Sequence, residues 1–233
     1  VELNNWDFSH KGAMTLRTAL VYSRNTTALQ TFKAVGETNI KSFLNNLDIQ
    51  IKNDGQDYLV ESNSIGADIS PIKMAAAYAA FGNYGTYSKP YTVTKVTTRD
   101  GQVTEFKPEQ KQAMKDSTAY MITDVLKDSF KYGFATQASI PGLPTAAKTG
   151  SSNYTVEQKR AMGASDYEDI IPDSWFIGYS TDYTISAWTG YDNPYEKGGG
   201  VDTTEQEYSR LIYYYLMKYM AESSSGDDWV QPD

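Results

Sequence analysis

The ten residues Pro144-Thr145-Ala146-Ala147-Lys148-Thr149-Gly150-Ser151-Ser152-Asn153 gather one lysine among small and hydroxylated side chains. At the inner edge of a strand, Lys148, Thr149 and Gly150 would set an ammonium, a hydroxyl and a bare backbone side by side, a combination suited to gripping a substrate carboxylate. Read alone, the triplet also fits an ordinary surface turn. A second polar corner, Ser23-Arg24-Asn25, lies between two stretches of helical periodicity, and its side chains could equally cap the second of those helices. The chain has no cysteine and a single histidine, His10. That excludes thiol catalysis, disulfides, cysteine-based zinc sites and any multi-histidine metal site. His10 sits among Ser9, Lys11 and Gly12 and reads as a solvated side chain rather than as the base of a Ser-His-Asp triad. Nucleophilic chemistry in this chain would therefore use lysine as its proton acceptor, and no metal or cofactor is called for.

The elements that must position these residues follow from periodicity. With 233 residues, 40% hydrophobic and 21% charged, the chain is long enough to bury a sizeable core and too ordinary in composition for disorder. A net charge of -8 argues against nucleic-acid binding, which needs a basic face for phosphates. No run of about 18 apolar residues is present, so any membrane attachment is expected to come from an anchor upstream.

Val1 to Gly12 reads as an irregular lead-in. Helices are predicted over Ala13 to Tyr22, over a second stretch with Ala28, Leu29, Phe32 and Val35 on one face, and over a third capped by Thr38. Asp48 to Ile69 reads as one long surface loop, and Ser70-Pro71 as a helix start with serine at the N-cap and proline in the first turn. A hairpin arm turns at Arg99-Asp100-Gly101, and a helix over Asp116 to Lys131 is expected to turn Tyr120, Met121, Val125, Leu126 and Phe130 inward. Strands at Ser174 to Tyr179 and Thr184 to Tyr191, with the strand ending in Lys148-Thr149-Gly150, predict an antiparallel sheet. The last helix, Glu205 to Ala221, carries a stripe of Tyr208, Leu211, Ile212, Tyr215, Leu216 and Tyr219, expected to lie on that sheet. Residues 222–233 are serine-rich and acidic and read as a mobile tail. The fold class expected is α/β (α+β), with helices flanking an antiparallel sheet.

Taken together, Ser23-Arg24-Asn25, with arginine where the second motif prints aspartate, and Lys148-Thr149-Gly150 resemble, in order, two of the three motifs (Ser-x-x-Lys, Ser-Asp-Asn, Lys-Thr-Gly) that mark penicillin-binding proteins and class A β-lactamases. Ser70-Pro71-Ile72-Lys73-Met74-Ala75-Ala76-Ala77-Tyr78, Trp175-Phe176-Ile177-Gly178-Tyr179 and Ala187-Trp188-Thr189-Gly190-Tyr191-Asp192 also resemble segments of the transpeptidase domain of bifunctional, class A penicillin-binding proteins. The resemblance implies a β-lactamase/transpeptidase-like fold, incomplete in this chain, with residues 1–221 forming the C-terminal two-thirds of the domain. It implies a serine D,D-transpeptidase that cross-links peptidoglycan stem peptides ending in D-Ala-D-Ala and is acylated by β-lactams. Ser23 would match the serine that passes a proton to the leaving amine, and Asn25 the side chain that holds the substrate amide. Lys148 would bring positive charge to the carboxylate end, Thr149 and Ser151 hydroxyls to that carboxylate, and the Ser151 amide an oxyanion donor worth roughly 3 to 4 kcal/mol. Gly150 completes the substrate-binding strand.

Two departures qualify the likeness. The only Ser-x-x-Lys motif here, Ser70 to Lys73, follows Ser23 where the family's nucleophilic motif precedes it. Ser70 is therefore expected to be structural, with the attacking serine and its lysine on an upstream segment or a companion fragment, and this chain alone inactive. Tyr154 to Pro172 reads as a polar insertion expected to overhang the cleft and shape access. The competing readings are a D,D-carboxypeptidase or β-lactamase-like hydrolase of the same fold, and a non-catalytic binding fragment. The wall-building role implies an extracytoplasmic location.

Overall fold

Thr15 starts the first helix: its hydroxyl accepts the Thr18 amide at 3.1 Å, and α1 runs over Leu16–Val21. A computed structural model describes residues 3–233, so the first two positions of the expected lead-in lie outside the described residues. α2 (Asn25–Val35) and α3 (Glu37–Asn46) are separated by Gly36 alone. Gly36, with φ at 81°, stops one helix and starts the next, so Thr38 lies inside α3 rather than capping it.

The segment expected as one loop, 48–69, is partly structured. It holds a small hairpin of β1 (Lys52–Asn53) and β2 (Gln56–Asp57) and a short 3-10 turn at Glu61–Ser64. Ile49 and Leu59 are buried, which draws the segment onto the body. α4 (Pro71–Gly82) begins with Ser70 in the N-cap position and Pro71 in the first turn, although the Ser70 side chain makes no capping bond. The hairpin arm forms from β4 (Lys95–Thr97) and β5 (Val103–Glu105), as the turn chemistry predicts. Its base is closed by β3 (Thr86–Ser88) paired with β6 (Gln110–Gln112), strands too short and polar to show a pattern in sequence.

α5 (Asp116–Lys127) turns Ala119, Thr123 and Leu126 inward, and Met121 is 59% exposed. Positions 119, 123 and 126 fall on one stripe at about 100° per residue, whereas 121 lies nearly opposite, so the inward placement of Met121 is corrected.

β7 (Ala146–Ser151), α6 (Val156–Ala161), β8 (Asp173–Tyr179), β9 (Thr184–Gly190) and α7 (Tyr208–Ala221) complete the chain. The three long strands pair antiparallel in the order β7-β8-β9, which leaves β7 at one edge and β9 at the other. Alternation along β8 sends its residues to two faces. Ser174, Phe176 and Gly178 meet α7: the Ser174 and Ser209 hydroxyls lie 2.9 Å apart, and the Phe176 and Tyr213 ring centroids 4.6 Å apart. A Cβ at Gly178 would fall 2.4 Å from the Tyr213 ring, so only glycine admits that tyrosine. On the other face, Tyr179 stacks edge-on to Tyr78 of α4 and shares a hydrogen bond with Thr123 of α5 at 3.0 Å.

α7 therefore meets the sheet through Ser209, Tyr213 and Met217, not through the tyrosine stripe. Tyr208, Leu211, Ile212, Tyr215, Leu216 and Tyr219 are exposed, Tyr219 at 70%, and most of them form an open apolar trough bordered by Thr189 of β9. The acidic tail, expected to be mobile, is tied down. Trp229 is buried with its Nε1 donating to the Gly82 carbonyl at 2.8 Å, and Lys127 donates to both carboxylate oxygens of Asp228 at 2.6 Å.

Candidate functional site

The α1–α2 corner is built by a helix-ending turn. Beyond Val21 the backbone of Ser23 adopts φ 51°, the Ser23 amide donates to Leu20 O at 3.2 Å, and the Arg24 amide donates to Ala19 O at 2.9 Å. That pair of bonds is the Schellman arrangement, in which the left-handed position is usually glycine. A serine there carries a backbone cost on the order of 1 kcal/mol, and the turn throws its side chain out of the helix register.

Opposite the corner stands the edge strand β7. Lys148 is in register with Ile177 and so shares its face of the sheet, the face carrying α4 and α5. α1 is clamped to α5 by Arg17, which bonds Asp124 and reaches Asp128 at 2.7 Å. This brings the corner over the strand. The Lys148 Nζ donates to Ser23 Oγ at 2.8 Å and to the Thr149 carbonyl at 2.9 Å. The residue keeps some exposure, but its ammonium is surrounded by protein, and desolvation pulls its pKa down to about 8. Charged and neutral forms are thus both accessible near neutral pH. Because Ser23 accepts from Lys148, its own O–H remains available to donate.

The remaining expected residues fall around this contact. Asn25 is the first residue of α2, and its amide nitrogen donates to the Asn4 carbonyl at 2.9 Å. Thr149, partly exposed, and Ser151, exposed, alternate with Lys148 along β7, in register with Phe176 and Ser174. Gly150 lies opposite Trp175, where a Cβ would come within 3.3 Å of the tryptophan Cβ. Ser70 and Lys73 are both exposed, as is His10. Among the described residues no group of three His, Cys, Asp or Glu side chains could hold a metal ion.

The lead-in, read from sequence only as irregular, contributes a polar collar. Arg24 is buried and bonds Asp7 Oδ2 at 2.8 Å and the Ser9 carbonyl at 2.7 Å. Buried Asn5 accepts both the amide and the hydroxyl of Thr26 at 3.2 Å. The Arg24 guanidinium, with help from the Ser9 hydroxyl, holds the Asp7 carboxyl far below the usual carboxylate range. No local pattern joins residues so far apart in sequence.

Residues 1–217 match the penicillin binding protein transpeptidase domain. Penicillin-binding protein 1A of Streptococcus pneumoniae is 39% identical over 236 residues, covering 98% of this chain and 32% of that protein. The chain thus spans about a third of the length of that curated relative. Among solved structures, penicillin-binding protein PonA1 of Mycobacterium tuberculosis superposes with a TM-score of 0.78 at 19% identity, covering 99% of this chain and 61% of that one. The imipenem acyl-enzyme complex of penicillin-binding protein A from the same organism gives 0.65 at 18% identity, covering 92% and 51%. The expected fold, with an antiparallel sheet between helices, is that of these transpeptidase domains.

Proposed function

The chain belongs to the penicillin-binding protein transpeptidase family, and on that premise we propose that it forms one wall of a serine D,D-transpeptidase site that cross-links peptidoglycan stem peptides. The observation that carries this reading is the hydrogen bond from Lys148 to Ser23, which joins the two motifs at 2.8 Å. In acylation, an attacking serine passes its hydroxyl proton to the lysine of its own motif, forms the ester and displaces the terminal D-Ala as an amine. Ser23 gives its hydroxyl proton to that nitrogen and takes one from Lys148, whose pKa of about 8 makes the loss inexpensive. When an incoming amine resolves the acyl-enzyme, it gives its proton through Ser23 to neutral Lys148, and the departing serine oxygen takes its own proton back from its motif lysine. Asn25, on the neighbouring turn, holds the substrate amide, and Thr149 and Ser151 offer hydroxyls to the substrate carboxylate. The Ser151 amide serves as an oxyanion donor. β-Lactams enter as mimics of the same acyl donor, and the acyl-enzyme formed by imipenem on a protein of this fold supports that step.

The attacking serine belongs to a companion segment upstream in the complete protein. Two surface features support this. Among the described residues β9 pairs on one side only, and beside it the apolar trough of α7 stands open; a strand and helix from that segment would cover both. Among the described residues no helix is long and apolar enough to cross a membrane, so the extracytoplasmic placement proposed here relies on an anchor in the same companion segment.

The test is intact-mass measurement after penicillin treatment. The chain alone gains no adduct, and the complete domain gains one on the companion segment. An adduct on Ser70 would overturn the assignment.

A further inference from the structure

Ser23 occupies a strained left-handed conformation, yet among the described residues its hydroxyl is held by nothing except Lys148. The residues beside it are the ones that are tethered. Arg24, the next residue, is buried with its side chain 3% exposed. Its two terminal nitrogens are bonded to Asp7 Oδ2 at 2.8 Å, to the Ser9 carbonyl at 2.7 Å and to the Ser9 hydroxyl at 3.0 Å. Asp7 is itself oriented, accepting the Ser9 amide at 3.0 Å and the Ser9 hydroxyl at 2.7 Å. Asn5 adds a second tie, bonding the Ser9 carbonyl at 2.8 Å on one side and Thr26 on the other. Residues 5–9 thus close a collar around positions 24 and 26.

A helix start needs no arginine, and the Arg24 charge must leave water to sit here, which makes the ion pair with half-buried Asp7 weak support for stability. Packing alone would be served by an apolar side chain. What the pair does supply is direction: a planar guanidinium bonded at several points fixes the backbone from which it grows. That backbone is one peptide bond from Ser23. We propose that Asp7 and Arg24 are positioning residues that hold the corner so that Ser23 Oγ faces Lys148. The inference rests on the reading of Ser23 and Lys148 as a proton relay.

The test uses the complete domain, with its attacking serine, and a fluorescent penicillin. Limiting acylation rate and apparent dissociation constant are measured separately, per active molecule, for Ser23→Ala, Asp7→Asn, Asp7→Glu and Arg24→Gln. The expected result is that Asp7→Asn lowers the limiting rate tenfold or more while leaving the dissociation constant within twofold. Asp7→Glu, which retains the charge, recovers part of the rate, and the Asp7→Asn, Arg24→Gln double variant is no slower than the worse single one. A purely structural collar would instead reduce the active fraction and melting temperature at an unchanged rate per active molecule, and that outcome overturns the proposal. If Ser23→Ala itself acylates like the parent, the relay reading falls and the positioning role with it. If Ser23→Ala is slow and Asp7→Asn is not, only the positioning role falls.

Discussion

The Nζ of Lys148 donates to Ser23 Oγ at 2.8 Å across 125 positions of sequence. This contact joins an edge strand to a helix corner, and each partner is set by its own element. Lys148 gains its direction from the register with Ile177, and Ser23 from the left-handed turn that ends α1. The consequence is a titratable group whose protonation is linked to both activity and stability.

Replacing Lys148 with methionine separates the two. Burial lowers the lysine pKa from 10.5 to about 8, so the unfolded chain binds the proton more tightly than the folded one. The penalty of the buried charge is therefore fully present below pH 8 and is relieved as pH rises from 8 to 10.5. Lys148→Met is expected to raise stability at pH 7, with its advantage over the parent shrinking through that window, and to abolish acylation. Denaturant melts across pH check the first expectation and penicillin labelling the second. A pH-independent difference would refute the linkage.

Ser23 offers a similar trade. Glycine relieves the left-handed backbone, so Ser23→Gly is expected to stabilise by about 1 kcal/mol relative to Ser23→Ala, which keeps the Cβ in a strained place. Both lose the hydroxyl, and both are expected to acylate slowly. Equal melting temperatures for the two would show that the turn carries no strain.

The sheet strands, the hairpin arm and most helices were legible because Trp175 to Tyr179 and Thr184 to Gly190 carry bulk at the expected positions and because Ser70-Pro71 and Arg99-Asp100-Gly101 are strong local signals. The pairing of Ser23 with Lys148 was legible only through motif resemblance. The collar was not legible, since Asp7 and Arg24 meet through tertiary structure alone. The tyrosine stripe misled for a physical reason. Hydrophobicity marks a face that would be buried by something, and α7 has two such faces, of which the sheet takes the one admitted by Gly178.

The insertion after β7 is folded rather than loose. Thr155 and Gln158 form a reciprocal cap on α6, Tyr154, Met162 and Ile170 make a small core, and the Tyr154 hydroxyl donates to Pro194 O at 2.6 Å. Because it leaves directly from the Ser151 end of β7, replacing residues 155–169 with a short glycine-serine linker in the complete domain is expected to open the cleft. Acylation by bulky β-lactams then rises several-fold relative to small ones. Unchanged relative rates would remove the insertion from any role in access.

The C-terminal tail is expected to act as a staple on the sheet's helical layer. Trp229 fills a site between Gly82 of α4 and Tyr179 of β8, with its ring centroid 5.6 Å from that of Tyr179 and the Lys127 ammonium 5.9 Å above it. Removing a buried indole leaves a cavity and an unpaired Gly82 carbonyl. Trp229→Ala is therefore expected to cost about 3 kcal/mol, and Trp229→Phe, which keeps the ring contact but loses the N–H donor, about 1 kcal/mol. Denaturant midpoints at constant slope give both values. If the tail were as mobile as its composition suggests, both variants would melt with the parent; the bonds of Asp228 to Lys127 and of the Val230 amide to the Tyr84 hydroxyl at 2.9 Å argue that they will not.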